Sequence, residues 1–136
     1  MAILVTGGTG YIGSHTVVEL IKKGKEVIIV DNYSNSKPEV LKSLKEITGE
    51  KITLYDIDYK NKKELDKIFK KHHISAVINF AGFKAVGESV KEPLKYYDNN
   101  ISGCINLLEV MNDQYGNYVI QKLVEHCDKK IISSMI

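Results

Sequence analysis

The chain runs to 136 residues, 43% of them hydrophobic and 26% charged, with a formal net charge of +2. That is room for one domain with a real core, and the charge gives no reason to expect a nucleic acid or an anionic membrane as partner. All 19 basic residues are Lys, which excludes the bidentate guanidinium fork, so phosphate recognition has to rest on backbone N–H groups and Lys. Cys104 and Cys127 lie in helical patterns without metal-ligand spacing and read as reduced thiols. No apolar stretch approaches the roughly 18 residues of a membrane span. The first residues lack a charged-then-apolar export signal, so a cytoplasmic location is expected.

In chain order, residues 2–6 are a short apolar run of the kind that forms a buried parallel strand. The run enters Gly7, Gly10 and Gly13, spaced G-x-x-G-x-x-G, and a helical pattern follows at once over 11–23, with Gly24 as its stop. Each glycine has a mechanical reason: a tight turn, backbone approach to a pyrophosphate, and close helix-on-strand packing. The new helix points its unpaired N–H groups and positive dipole end at whatever anion occupies the turn. A second strand, Val27 to Val30, ends in Asp31, which follows Gly13 by 18 residues. That is close to the spacing of about 20 expected for a carboxylate that takes a ribose 2′-hydroxyl. The same carboxylate repels the extra phosphate of NADP. The pattern predicts a dinucleotide site that favours NAD.

The rhythm of strand and helix continues. Residues 38–48 read as a helix beginning at Pro38, with Val40, Leu41, Leu44 and Ile47 apolar. A third strand at 51–55 leads to Asp56-Ile57-Asp58. A helix capped by Asn61, with Glu64 three residues on, carries Leu65, Ile68 and Phe69 on one face and His72 next to them. His72 and His73 have no metal partners at ligand spacing and mark the helix end; no metal site is expected. A fourth strand at 76–80 ends in Ala81-Gly82, and a long helix runs from about Pro93 to Asn112. Such repeats imply an α/β, Rossmann-type parallel sheet with helices on both faces and ligands outside the strands' carboxyl ends. Residues 1–112 are expected as the cofactor-binding domain. Residues 113–136 form a tail, with an amphipathic helix at 113–128 and a fifth strand that re-enters the sheet at 129–134.

Two runs carry a resemblance: Thr6-Gly7-Gly8-Thr9-Gly10-Tyr11-Ile12-Gly13-Ser14-His15 and Phe80-Ala81-Gly82-Phe83-Lys84-Ala85-Val86-Gly87-Glu88-Ser89. With Asp31 to Ser36 and Pro93 to Asn100, they make residues 1–112 resemble the UDP-galactose 4-epimerase family of the extended short-chain dehydrogenase/reductase superfamily. The resemblance implies that Tyr11 and Ile12 sit at the pyrophosphate. It places Asp31, Asn32, Tyr33, Ser34, Asn35 and Ser36 around the adenosine ribose, and Asp58 and Tyr59 beside the adenine. Phe80, Ala81, Gly82, Phe83 and Lys84 would line the cofactor toward its nicotinamide, with Asn99 reaching it from the following helix. Two positions keep a plainer alternative: Lys84 as a solvated loop lysine, and Asn99 as a side chain bonded to nearby backbone. The family moves hydride from C4 of a UDP-hexose to NAD and returns it to the other face. It pairs through helices near 93–112, which implies a homodimer.

The family's chemistry also uses a Ser after the fifth strand, a Tyr-x-x-x-Lys pair on the next helix and a C-terminal domain that holds the UDP-hexose. None of these is recognised here, so no catalytic residue is assigned and the expected activity is cofactor binding. Tyr118 and Lys122 have that spacing, but eight Tyr and 19 Lys in 136 residues make about one such match by chance. From Asp113 to His126 the chain instead resembles one Pumilio-family RNA-binding repeat. That suggests a hybrid, whether an RNA-reading module or an inactive scaffold, although one repeat is too few to bind RNA usefully.

Overall fold

The computed structural model describes residues 1–115. Its elements alternate: β1 (Ala2–Thr6), α1 (Tyr11–Lys22), β2 (Glu26–Asp31), α2 (Glu39–Thr48), β3 (Thr53–Asp56), α3 (Lys62–Lys71) and β4 (Ile74–Asn79). Three helical pieces follow, α4 (Val86–Lys91), α5 (Pro93–Tyr97) and α6 (Gly103–Tyr115), with a π turn at Asp98–Ser102 between the last two. The strands form one parallel sheet in the order β3-β2-β1-β4. Two successive crossovers build the sheet outward from β1, and the third jumps back over it, so the order reverses beside β1. In such sheets the ligand crevice lies outside the carboxyl ends of the strands at that reversal.

Side chains that alternate along the strands feed two apolar layers. Leu4, Ile28 and Val30 pack with Leu65, Ile68 and Phe69 of α3 and Leu107 and Val110 of α6. Val5, Val27 and Ile29 pack on the other face with Val17 of α1 and Leu44 of α2. β1 and β2 are therefore buried on both faces, which is why they read as unbroken apolar runs. Helix ends follow local chemistry. Asn61 accepts the Glu64 N–H as the cap of α3, and Gly24 and Gly49 take left-handed φ angles of 70° and 71° just past α1 and α2.

The long helix expected over Pro93–Asn112 is interrupted, and the reason is visible in its hydrogen bonds. The Gly103 N–H donates to the Asp98 carbonyl five residues back and skips the Asn99 carbonyl. The Asn99 carbonyl is taken instead by the Tyr59 hydroxyl, which opens the helix by one residue. α4 was not expected. α6 crosses the expected boundary at Asn112 without a break and continues to Tyr115. β3 starts at Thr53 rather than residue 51, and β4 starts at Ile74, two residues early. His72 caps the end of α3 half-buried, bonded through Nε2 to the Tyr55 hydroxyl at 2.7 Å. The expected tail helix at 113–128 beyond Tyr115, the strand at 129–134, Cys127, Tyr118 and Lys122 lie outside the described residues.

Candidate functional site

The glycine turn is built by exclusion. At Gly7 (φ 67°) an added Cβ would lie 2.6 Å from the Phe80 carbonyl carbon, and at Gly13 it would lie 2.2 Å from the Gly7 carbonyl oxygen. The chain can thus press α1 onto β1 and bring the end of β4 against the turn only because these positions have no side chain. Gly10 is the N-cap residue of α1, no side chain caps the helix, and its first turn holds no acidic residue. The first amides of the helix and its positive dipole end are therefore offered to a ligand.

These amides open on a groove that is continuous with solvent and runs along the carboxyl edge of the sheet. Gly7, Gly10, Tyr11, Ile12 and Gly13 line one end. Asp31, Asn32, Ser34, Asn35 and Ser36 line a second wall, and Phe80, Ala81, Gly82, Phe83, Lys84 and Asn99 a third. The structure thus brings together residues that the sequence spreads over more than ninety positions. Val30 and Ile57 join the lining without having been singled out.

Asp31 is wedged into the turn it follows. Its carboxylate accepts the N–H groups of Thr9 and Tyr33, each at 2.9 Å, while the Thr9 hydroxyl meets the Ser36 hydroxyl at 2.7 Å. The acid therefore ties the glycine turn to the β2–α2 loop and keeps a face on the groove. Thr9, only 2% exposed, was missed by sequence reasoning.

Of the residues expected around the adenosine, Tyr33 and Asp58 lie outside the groove lining and Tyr59 lines it from the core. Tyr33, in the left-handed region at φ 55°, is not part of the groove lining. Burial raises the pKa of its hydroxyl, and the nearby carboxylates of Asp56 and Asp31 add to the rise. Asp58 is also outside the lining; its side chain accepts the Lys60 N–H at 2.9 Å and closes the turn into α3. Tyr59 does reach the groove, but it is a core residue, 4% exposed, wedged against Gly103, where an added Cβ would lie 2.5 Å from its ring. Burial foremost, with Cys104 and Asp58 contributing, pushes its pKa up to about 12.

The third wall is held by asparagines. The last ladder bond of β4 runs from the Phe80 N–H to the Thr6 carbonyl at 2.8 Å. Beyond it, Asn79 accepts the Ala81 N–H at 3.1 Å, Asn99 donates to the Ala81 carbonyl at 2.8 Å, and Asn100 bonds both backbone groups of Phe83. Asn99 is thus bonded to backbone, as the plainer reading had it, and also lines the groove. Asn100 was missed, although two successive Asn inside a helical pattern are a legible signal, because Asn competes for backbone groups. Lys84 is exposed at the groove lip.

Comparison with known proteins places this geometry. A family model described as GDP-mannose 4,6 dehydratase matches residues 4–127. The chain belongs to that family. It is 53% identical over 124 residues to the UDP-glucose 4-epimerase of Bacillus subtilis, a match covering 91% of this chain and 35% of that protein. It is 54% identical over 141 aligned positions to the UDP-glucose 4-epimerase of Haemophilus influenzae, covering 94% of this chain and 42% of that one. The crystal structure of UDP-glucose 4-epimerase from Bifidobacterium longum in complex with NAD+ and UDP superposes with a TM-score of 0.82 at 46% identity, covering 84% of this chain and 34% of that one. The chain spans about a third of the length of the curated relatives it matches. The family match runs on through residue 127, across the stretch that resembles a Pumilio repeat, and nothing in the comparisons supports a second lineage there. Among the described residues no cluster of His, Cys, Asp or Glu could hold a metal ion, and no helix is long and apolar enough to cross a membrane.

Proposed function

We propose that this chain is the NAD-binding part of a UDP-glucose 4-epimerase. The observation that carries the reading is the uncapped, acid-free N-terminus of α1, facing the groove between the glycine turn and Asp31. A diphosphate fits the amides of the first turn, and a ribose fits the wall of Asp31, Asn32, Ser34, Asn35 and Ser36. The nicotinamide end then lies toward Phe80, Ala81, Gly82, Phe83 and Lys84, with Asn99 behind them. Bound there, NAD supplies reversible hydride acceptance, the chemistry a sugar epimerase needs at a carbinol carbon. This chain's own residues bind and orient. The glycine amides take the charge, Asp31 selects against a 2′-phosphate, and the asparagine-held wall sets the third side. The Bifidobacterium relative was crystallised with NAD+ and UDP, which supports the same cofactor and a UDP-hexose substrate for the complete protein.

Calorimetry on the 136-residue chain tests this directly. NAD should release or absorb measurable heat, and NADP should bind at least about tenfold more weakly, because Asp31 faces the added phosphate. Absence of any NAD binding, or equal affinity for NADP, would overturn the reading. Interconversion of UDP-glucose and UDP-galactose by this chain alone is not expected.

The same reading includes a homodimer through residues 93–112. Within that segment Leu94, Tyr97, Ile101, Ile105 and Leu108 are exposed apolar side chains spaced three or four residues apart, which supports an apolar contact there. Sedimentation should find a dimer that Leu94→Glu with Ile101→Glu converts to monomer. An unaltered dimer in the double variant would place the interface elsewhere.

A further inference from the structure

We propose that Asn100 is a positioning residue for the Phe83–Lys84 lip of the groove, acting on the half of a dinucleotide remote from the glycine turn. The proposal rests on the NAD-binding reading above. Past Phe80 the third wall leaves the sheet, so its backbone polar groups need partners from elsewhere. Asn100 supplies two at once. Its Oδ1 accepts the Phe83 N–H at 2.7 Å, and its Nδ2 donates to the Phe83 carbonyl at 2.9 Å. One carboxamide therefore pairs with one residue as a neighbouring strand would, and holds it in both translation and rotation. The amide's orientation is set by a third bond, since Asn99 Nδ2 donates to the same Oδ1 at 3.0 Å.

The Phe83 ring is held independently. It packs edge-on against Tyr96 with ring centroids 5.5 Å apart, and the Lys95 ammonium lies 5.6 Å from its centroid. Glu88 binds both of these partners, at 2.7 Å from the Tyr96 hydroxyl and 2.6 Å from Lys95 Nζ. Phe83 is thus gripped by backbone from the π turn and by ring from α5. The next residue is Lys84, a groove-lining cation on a flexible stem. What Asn100 fixes is the anchor point of that stem. The π turn is what places the Asn99 and Asn100 side chains beside residues 81–83. The opposite end of the groove, made by the glycine turn and Asp31, shares none of these bonds.

The test is a comparison of two ligands on the 136-residue chain. ADP spans only the diphosphate and adenosine end, whereas NAD reaches the lip as well. Asn100→Leu should weaken NAD about tenfold while leaving ADP affinity within about twofold. A merely structural role would weaken both alike, and equal loss for the two ligands, or no loss for either, would overturn the proposal. If N100L does not fold, Asn100→Asp takes its place; it keeps the acceptor for the Phe83 N–H and removes the donor to the Phe83 carbonyl. A wild-type chain that binds neither ligand would defeat the cofactor reading instead. Hydrogen exchange on the ligand-free chain then decides the clamp itself. The Phe83 amide should be protected like the amides of β4, and exchange as fast as an open loop amide would overturn it.

Discussion

At the scale of single residues, the site depends on side chains that are absent. A methyl group at Gly13 would stand 2.2 Å from the Gly7 carbonyl oxygen, and at Gly24 it would meet nothing within 4 Å. Gly13→Ala should therefore push α1 off β1, cost about 1–3 kcal/mol of stability by overpacking, and remove NAD binding. Gly24→Ala carries only left-handed backbone strain and should leave binding intact. Urea midpoints and calorimetry on the two variants check the contrast, which fails if both lose the ligand. Asp31 makes a similar point with a polar group. The sequence spacing assigns it to a ribose, yet in the fold it also secures Thr9 and Tyr33. A carboxylate has enough lone pairs for both duties, but spacing reveals only one of them.

Among the elements, the informative unit is the π turn with Tyr59. Tyr59→Phe leaves the Asn99 carbonyl without its partner, a loss of roughly 1–3 kcal/mol for a buried acceptor. The effect depends on pH, with a definite sign. The folded pKa of Tyr59, about 12, lies above the ordinary phenol value of about 10. The unfolded chain therefore ionises first, and the stabilisation is complete below about pH 10 and disappears as pH rises toward 12. The stability gap between wild type and Y59F should be constant near neutrality and narrow across that window. A gap that stays constant to pH 12 would show that the hydroxyl titrates normally. Strands β1 and β2 and helices α1 to α3 were legible in the sequence because periodicity and caps are local signals. The interruption of the last helix was not. It depends on a hydroxyl forty residues away claiming one carbonyl, and no window along the chain contains both. The groove was legible for a related reason: glycine spacing and strand-end acids are local, and the topology brings strand ends together. Asn100 escaped notice because its partner at Phe83 is fixed only by the crossover.

For the whole molecule, sheet order governs what can exist separately. β1 is an interior strand, paired with β2 on one side and with β4 on the other. Ion pairs and a hydrogen bond then fasten the entry to α3 to the π turn and α6: Lys60 to Asp98 at 2.6 Å, Lys62 to Glu109 at 3.1 Å and to Asp113 at 3.8 Å, and Asn106 Nδ2 to the Lys60 carbonyl at 2.8 Å. The exposed pairs add little individually, so the two apolar layers carry the stability and the polar ties set orientation.

The placement of β4 beside β1 has a temporal consequence. Gly7 cannot adopt its final surroundings until Phe80 arrives, and every parallel pairing closes a long loop before it is rewarded. After dilution from denaturant, ellipticity from the early helices should therefore return before competence to quench or enhance a nicotinamide signal. If ligand recognition recovered as fast as helicity, the pocket would have to form without its last strand, and the order of assembly drawn from the topology would be wrong.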